Sequence, residues 1–439
     1  YDILFWISKS VLGGHGFMPI EQKCVQNPCA SSKMRLLQET NNKIRLMNIT
    51  FLLRLWPVYG GGETVTICLA NEMIKRGWNV SVLYFKNNTR ADLPFIDPAI
   101  KAVQIPDIRC DEFTTRFPDA DKVIGYLKEY IQENDIHYLV NQWWPVEYIR
   151  GIRGRYKTKI ITCLHQALYT PMIEGTGING FLKKRCTSLY KFWKKRHSCR
   201  QVTKFLPHTD KYIFLSPAFQ RQYEQFANYK NTNSQLGAIP NPLVYPNEMR
   251  PEDLQSKEKS VLLVGRMVEI QKRITRAIKI WRAIENDPRL DEWNFRIVGE
   301  GPDLAMYKQL AEALGLKRIS FEGFRNPQPY YKQAAIFMMT SAFEGFPMTL
   351  VEAQQCGVVP VVMDSYLSLH DIVETGYNGI IVSNEDLTGY VNKMKELMTD
   401  TSLREKLAMN GLHSCRRFCV EEIVNNWEEL FNDLSANRR

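Results

Sequence analysis

Two glutamates separated by seven residues, Glu344 and Glu352, stand where an apolar run gives way to a helical pattern. Carboxylates accept hydrogen bonds from sugar and ribose hydroxyls, and such charge-assisted bonds are stronger than neutral ones. A glutamate in a strand-to-helix loop and a second one a turn into the helix can therefore grip two parts of one extended ligand. Between them, Phe346, Met348 and Thr349 bring backbone amides to a helix N-terminus, where the dipole favours a diphosphate. A second cluster is Gly265-Arg266 followed by Lys272, placed at the end of an apolar strand. In parallel sheets that edge is where ligands bind. Two fixed cations there can neutralise a departing diphosphate by electrostatics alone, the arginine as a bidentate fork and the lysine as a point charge.

Three further signals are weaker. Gly60-Gly61-Gly62-Glu63 lies between the first strand and its helix, and glycine lets a phosphate approach the backbone closely. It is neither the spaced dinucleotide fingerprint nor a P-loop. His165 and Ser216 each end a strand-like run, and each is either a ligand contact or a residue satisfied within the structure. Asp119-Ala120-Asp121 spells an acid-x-acid pattern used for metal–diphosphate binding. It sits in a polar turn ahead of a helix, so capping is the better explanation, and no metal is expected.

These residues need strands that end together. Short apolar strands are expected at 44–53, 79–85, 137–141, 159–164 and 211–216, and again at 260–264, 294–298, 318–321, 335–339, 359–363 and 379–382. Helical stretches separate them, which means parallel βαβ units in an α/β protein. The expected organisation is a leader of doubtful structure at 1–43, a first Rossmann-like domain at 44–241 and a polar, proline-bearing linker at 242–259. A second such domain follows at 260–419, then a C-terminal helix and tail at 420–439 that crosses back to the first domain. Ile423, Trp427, Leu430, Phe431 and Leu434 form one face of that helix. Because the first residue is Tyr1 and Met34 and Met47 lie close ahead of the patterned region, part of the leader reads as upstream read-through.

At 439 residues the chain is long enough for two cores, and no apolar run is long enough to span a bilayer. The ten cysteines follow no repeating spacing, and neither Cys24/Cys29 nor Cys415/Cys419 comes with zinc partners. Reduced thiols in a cytoplasmic protein are the simplest reading. The net charge of +10 calls for an anionic partner. Much of it lies between Gly175 and Thr209, which contains Lys183, Lys184, Arg185, Lys191, Lys194, Lys195, Arg196, Arg200 and Lys204 and no Asp or Glu. Leu182, Cys186, Leu189 and Trp193 recur there at helical spacing, so the segment reads as a basic amphipathic helix for a membrane surface. The alternative is a solvated helix packing its apolar face on the domain.

Taken together these residues resemble the GT-B glycosyltransferases, specifically the large retaining family 4 with its E-x7-E signature, as in bacterial surface polysaccharide synthesis. The carriers are Gly60-Gly61-x-Glu63, His165, Gly265-Arg266 with Lys272, Gly299-Glu300-Gly301-Pro302, the Glu344/Glu352 pair and Cys356-Gly357-Val358-Val359-Pro360; the resemblance runs over roughly residues 44–435. It implies that two Rossmann-like domains face a cleft. It also implies that Glu352 binds the ribose, Glu344 the donor sugar, and Arg266 and Lys272 the diphosphate. Gly60, Gly61 and Gly265 would line the donor, His165 would lie beside the reacting sugar, and the base would rest near Phe324. Pro347 stands where many members have glycine, and Val358-Val359 is an apparent one-residue insertion.

The expected reaction is transfer of a glycosyl group from a nucleoside diphosphate sugar to an acceptor hydroxyl, with retention by resemblance and no resident cofactor. The expected acceptor is a saccharide or lipid-linked saccharide, with the enzyme cytoplasmic and peripheral on the inner face of the membrane. Two rivals from other classes are a sugar-nucleotide epimerase on a similar fold and a basic nucleic-acid-binding protein. None of the recognisable nucleic-acid modules is present.

Overall fold

The computed structural model describes residues 47–57, 61–87, 95–106, 120–169, 187–245 and 249–436. The leader read at 1–43, Gly60, Asp119 and the first part of the basic segment lie outside them.

The first half carries strands β1 (Asn48–Leu52), β2 (Asn79–Tyr84), β3 (Lys101–Gln104), β4 (Tyr138–Asn141), β5 (Lys159–Leu164), β6 (Lys211–Phe214) and β7 (Leu236–Ala238). Its helices are α1 (Gly61–Lys75), α2 (Ala120–Glu133), α3 (Val146–Ile152), α4 (Thr187–Phe205) and α5 (Pro217–Ala227). The strands form one sheet in the order β3-β2-β1-β4-β5-β6-β7, with every pairing parallel. Such a sheet is covered on both faces, which is why β4 is buried at every position.

The second half repeats the plan with β8 (Glu258–Val264), β9 (Asn294–Val298), β10 (Ile319–Gly323), β11 (Ala334–Met339), β12 (Val359–Asp364) and β13 (Ile380–Ser383), ordered β10-β9-β8-β11-β12-β13 and again parallel. Its helices are α6 (Glu269–Lys272), α7 (Ile274–Glu285), α8 (Leu304–Ala313), α9 (Gln328–Gln333), α10 (Met348–Gln355), α11 (Leu387–Thr399), α12 (Thr401–Ser414) and α13 (Val420–Ala436).

Helix α13 returns to the first sheet. Ile423, Trp427, Leu430, Phe431 and Leu434 join a cluster with Ile49, Trp78 and Tyr138. The Phe431 ring lies 4.2 Å from that of Tyr138 and 5.5 Å from that of Trp78. Tyr138 also donates its hydroxyl to the Phe431 carbonyl at 2.8 Å, and Arg76, just after α1, pairs with Glu428 at 3.1 Å. Each fully buried aromatic of this kind contributes about 1.5–3 kcal/mol.

Three details depart from the expected pattern. Strands β3 and β7 were not expected: β3 is an edge strand with mostly exposed residues, and β7 has three residues. The stretch expected as linker is partly built into the second domain. Leu254 is buried in its core, and Glu258 pairs with Ala334 in the sheet and with Arg296 at 2.9 Å. Its polarity reflects the exposed start of β8 rather than a free connection. Finally, Gly61 and Gly62 sit in the first turn of α1 rather than in a loop.

Candidate active site between the two sheets

In each sheet the chain order reverses between two neighbouring strands, β1/β4 in the first and β8/β11 in the second. The crevice beyond the carboxyl ends of such strands is the ligand position in open α/β sheets. Gly265 and Arg266 follow β8, and the loop carrying Glu344 follows β11, so both second-domain clusters meet at one switch point.

Lys272 Nζ donates to Glu344 Oε1 at 2.7 Å and Gln271 Nε2 to Oε2 at 3.2 Å. The pair is largely withdrawn from water, with 13% and 9% of the side chains exposed, so solvent screens it little. Backbone ties hold it: Ala342 N–H donates to the Gln271 carbonyl at 2.6 Å, and the Thr340 hydroxyl donates to the carbonyls of Lys272 and Arg273. The Lys272 stem crosses Gly265 so closely that a Cβ there would lie 3.1 Å from Lys272 Cε. Gly299, at φ +138°, does the same for the neighbouring loop, since its Cβ would fall 2.0 Å from the Gly265 carbonyl. Arg266 is exposed beside this pair and makes no ion pair with a described residue.

Glu352 lies on α10 and is buried. Its Oε2 accepts from the Tyr331 hydroxyl at 3.0 Å, and burial pushes its carboxyl up to about 7 despite that bond. Lys257 braces both neighbours, donating to the carbonyls of Tyr331 at 2.8 Å and Cys356 at 2.5 Å. The Glu352 charge also reaches Cys68 on α1, raising that thiol, already raised by burial, to about 12.

On the first-domain side, His165 follows β5 and binds Gln142, which follows β4. With the Gln142 amide so oriented, imidazole Nε2 donates to Gln142 Oε1, and the buried Nδ1 keeps a lone pair with no partner. Burial lowers the imidazole to about 4, so at neutral pH it is uncharged. The Trp143 indole lies 5.3 Å from the imidazole and fills the space over Gly62, where a Cβ would meet Trp143 Nε1 at 2.9 Å. Gly62 thus lets the first turn of α1 and the Trp143 indole pack in direct contact. The two domains touch here, because a Cβ on Gly345 would fall 2.9 Å from the His165 carbonyl oxygen.

The remaining expected residues divide by environment. The Phe346 side chain is buried edge-on against Phe418 at 5.4 Å, which leaves its backbone for the cleft. Met348 and Thr349 are half-buried in the first turn of α10. Phe324, after β10, is exposed. Ser216 is structural: it caps α5 by accepting from Ala218 N–H at 3.0 Å and bonds Asp371 of the second domain. Sequence reasoning missed Trp143 and Gln142, which the topology brings to His165, and Tyr331 and Cys68, which it brings to Glu352. A cavity of about 600 Å³ is lined by His370 and Glu374 and by neither Lys272 nor Glu344. Among the described residues no cluster of His, Cys, Asp or Glu could hold a metal ion, and no helix is long and apolar enough to cross a membrane.

Among the described residues, the C-terminal half of helix α4 joins the core, where Cys199, Val202 and the following Leu206 meet Phe214, Phe219 and Tyr223. Leu189, Phe192 and Trp193 stand out at 73%, 65% and 59% exposure. Lys195 turns inward over the Phe226 ring at 4.5 Å.

Comparison with known proteins matches residues 59–243 to the family described as Glycosyltransferase Family 4 and residues 244–413 to Glycosyl transferases group 1. A relative in Campylobacter jejuni, the GalNAc-alpha-(1->4)-GalNAc-alpha-(1->3)-diNAcBac-PP-undecaprenol alpha-1,4-N-acetyl-D-galactosaminyltransferase, is 22% identical over 395 residues, covering 89% of this chain and 99% of that protein. An exopolysaccharide phosphotransferase of Streptomyces coelicolor is 27% identical over 207 residues, which are 46% of this chain but only 21% of that protein. Among solved structures, S. aureus TarM in complex with fondaparinux, alpha-GlcNAc-glycerol and UDP superposes with a TM-score of 0.65 over 88% of this chain and 100% of that one. At 13% identity that likeness speaks for the fold.

Proposed function

Because the chain belongs to the GT-B glycosyltransferases of the family 4 type, we infer that it moves a sugar from a nucleoside diphosphate donor held by Glu344, Glu352, Arg266 and Lys272. The observation that carries this reading is the Lys272–Glu344 pair at the switch point of the second sheet, set against His165 through Gly345. A nucleotide-sugar donor and a saccharide acceptor are the coarse partners.

In this reading Glu352 accepts from the ribose and Glu344 from the donor sugar. Lys272 and Arg266 neutralise the leaving diphosphate, with the N-terminus of α1 approaching it from the other domain. As the bond from the anomeric carbon to the diphosphate oxygen breaks, the acceptor oxygen bonds to that carbon and its proton passes to the leaving phosphate oxygen. No acid–base pair is required, and His165 is uncharged at neutral pH. Retention follows from attack on the face the diphosphate leaves. No divalent metal is needed, since the two cations already stabilise the departing charge.

The acceptor is proposed to be lipid-linked, with α4 resting on an anionic membrane at the inner face. Support comes from the exposed Leu189, Phe192 and Trp193 among cations, and from the Campylobacter relative, whose name places its acceptor on undecaprenol.

A panel of nucleoside diphosphate sugars tests the core of this reading. Wild type should release free nucleotide from one donor, and Lys272→Ala should lower that rate on the order of 10²–10³-fold. Donor conversion without nucleotide release would instead reveal an epimerase, and an unchanged rate in Lys272→Ala would remove the pair from the chemistry.

A further inference from the structure

Two short helices meet at the buried Glu352, and one cation serves the C-terminal ends of both. Helix α9 carries Tyr331, whose hydroxyl donates to Glu352, and α10 carries Glu352 itself. A helix leaves its last carbonyls without intrahelical partners. At the end of α10, Gly357 stands at φ +64°, so its N–H and that of Val358 turn back to the carbonyls of Gln354 and Ala353. That pattern does not use the Cys356 carbonyl. At the end of α9, Ala334 N–H takes the Tyr330 carbonyl, which passes over that of Tyr331. Lys257 Nζ donates to both remaining carbonyls, at 2.5 Å to Cys356 and 2.8 Å to Tyr331.

Lys257 stands between a 3-10 turn (Pro251–Ser256) and β8. The turn packs so closely on the end of α10 that a Cβ on Gly357 would fall 2.3 Å from Leu254 Cδ2. The negative ends of two helix dipoles thus converge on one ammonium. Among the described residues no carboxylate bonds it. Asp253 and the Cys356 thiol act on it at longer range, and burial lowers it to about 8, so it is mostly charged at neutral pH. Desolvating a cation is costly, and here only backbone carbonyls offset the cost. What the two bonds fix is the spacing of α9 and α10, which is the spacing that the 3.0 Å bond from Tyr331 to Glu352 spans.

We propose that Lys257 is a positioning residue for donor binding: by joining the ends of α9 and α10 it holds Glu352, through Tyr331, where a ribose hydroxyl can reach it. The proposal rests on reading Glu352 as the ribose ligand. Lys257 acts through Tyr331 and the end of α10 and not on the donor itself. Its loss should therefore weaken the donor without slowing the chemistry, because the ribose is remote from the anomeric carbon.

A cavity of about 80 Å³ reaches the lysine and is lined also by Leu254, Gly357, Thr401 and Arg404. In Lys257→Ala the vacated space joins it, and propylammonium matches the atoms removed. Calorimetry with UDP, GDP and ADP identifies the nucleotide that the wild type binds, and nucleotide release from the matching sugar donor gives kcat and KM. Lys257→Ala should raise nucleotide Kd and donor KM about tenfold, the equivalent of one hydrogen bond, with kcat within about twofold. Propylammonium should restore most of the affinity, and tetramethylammonium, which has the charge but no N–H, should not. Should the alanine variant fail to fold, Lys257→Gln and Lys257→Met carry the comparison, the amide retaining more affinity than the thioether. Unchanged donor KM in the folded variants, an equal response to both cations, or a fall in kcat with KM unmoved would overturn the proposal. Glu352→Gln separates it from the reading beneath it. A raised KM there with wild-type KM in the Lys257 variants sinks the positioning role alone. Unchanged KM in Glu352→Gln, or no nucleotide bound by the wild type, sinks the ribose assignment and the role with it.

Discussion

Glutamine in place of Glu352 should make the protein more stable at pH 8 and leave it unchanged near pH 4.5. The substitution keeps the acceptor for Tyr331 and removes only the titrating group. Burial holds the Glu352 carboxyl up to about 7, whereas an unfolded chain releases that proton near pH 4.3. Between those limits the folded state carries one proton more than the unfolded state. The resulting stability is present in full below about pH 4.3, falls as pH rises and is gone once pH passes the folded value near 7. At about 1.4 kcal/mol per pH unit the loss amounts to roughly 4 kcal/mol. The variant has no such slope. Thermal melts of both proteins at pH 5 and pH 8 should show a gap at pH 8 of roughly 4 °C that shrinks to about a third of that at pH 5. Donor affinity should follow the opposite trend in the wild type, rising through pH 7 as the ionised carboxylate forms stronger bonds to ribose hydroxyls. A stability gap of equal size at both pH values would refute the reasoning, because it would mean that Glu352 is ionised throughout.

Glu344→Ala should lower kcat more than it raises donor KM, since its partner sugar distorts in the transition state, and steady-state kinetics with near-normal values would remove Glu344 from the site. Gly345→Ala must push its Cβ off the His165 carbonyl, 2.9 Å away, so kcat should drop on the order of 10²-fold while the melting temperature barely moves; a wild-type rate would show that this contact is not kept during turnover. A chelator should leave activity intact, and inactivation reversed by magnesium or manganese would require a metal after all. Replacing Lys191, Lys194, Arg196 and Arg200 by Gln, and sparing the inward-turned Lys195, should cost about 4 kcal/mol of attraction to anionic liposomes. Co-sedimentation should then fail, and wild-type protein that stays in the supernatant at low salt would exclude membrane docking by α4.

The strands that end at the cleft were legible because each is a continuous apolar run, as Ala334–Met339 is at all six buried positions. Edge strand β3 was not, since Lys101–Gln104 faces water and needs no apolar signal. Glu344 and Lys272 each stood out by type and local context. Their 2.7 Å contact spans 72 positions and exists only because β8 and β11 are neighbours in the sheet. His165 could be suspected, but its uncharged state depends on burial beside Gln142, which no local pattern announces. Helix α4 shows the limit most plainly. Leu189 and Trp193 have the spacing of a buried face, and whether such a face meets protein or something else is decided by what the remainder of the chain places beneath it.

The return of helix α13 has a consequence for biosynthesis. Tyr138 and Phe431 complete one apolar cluster from positions 293 residues apart. A ribosome adding about 5–20 residues per second needs roughly 15–60 s to cover that distance. During this interval the first sheet has emerged while the surface around Ile49, Trp78 and Tyr138 stays open to water. That surface can be covered only after α13 has cleared the exit tunnel. A chain cut short before Trp427 would lack the residues that cover it.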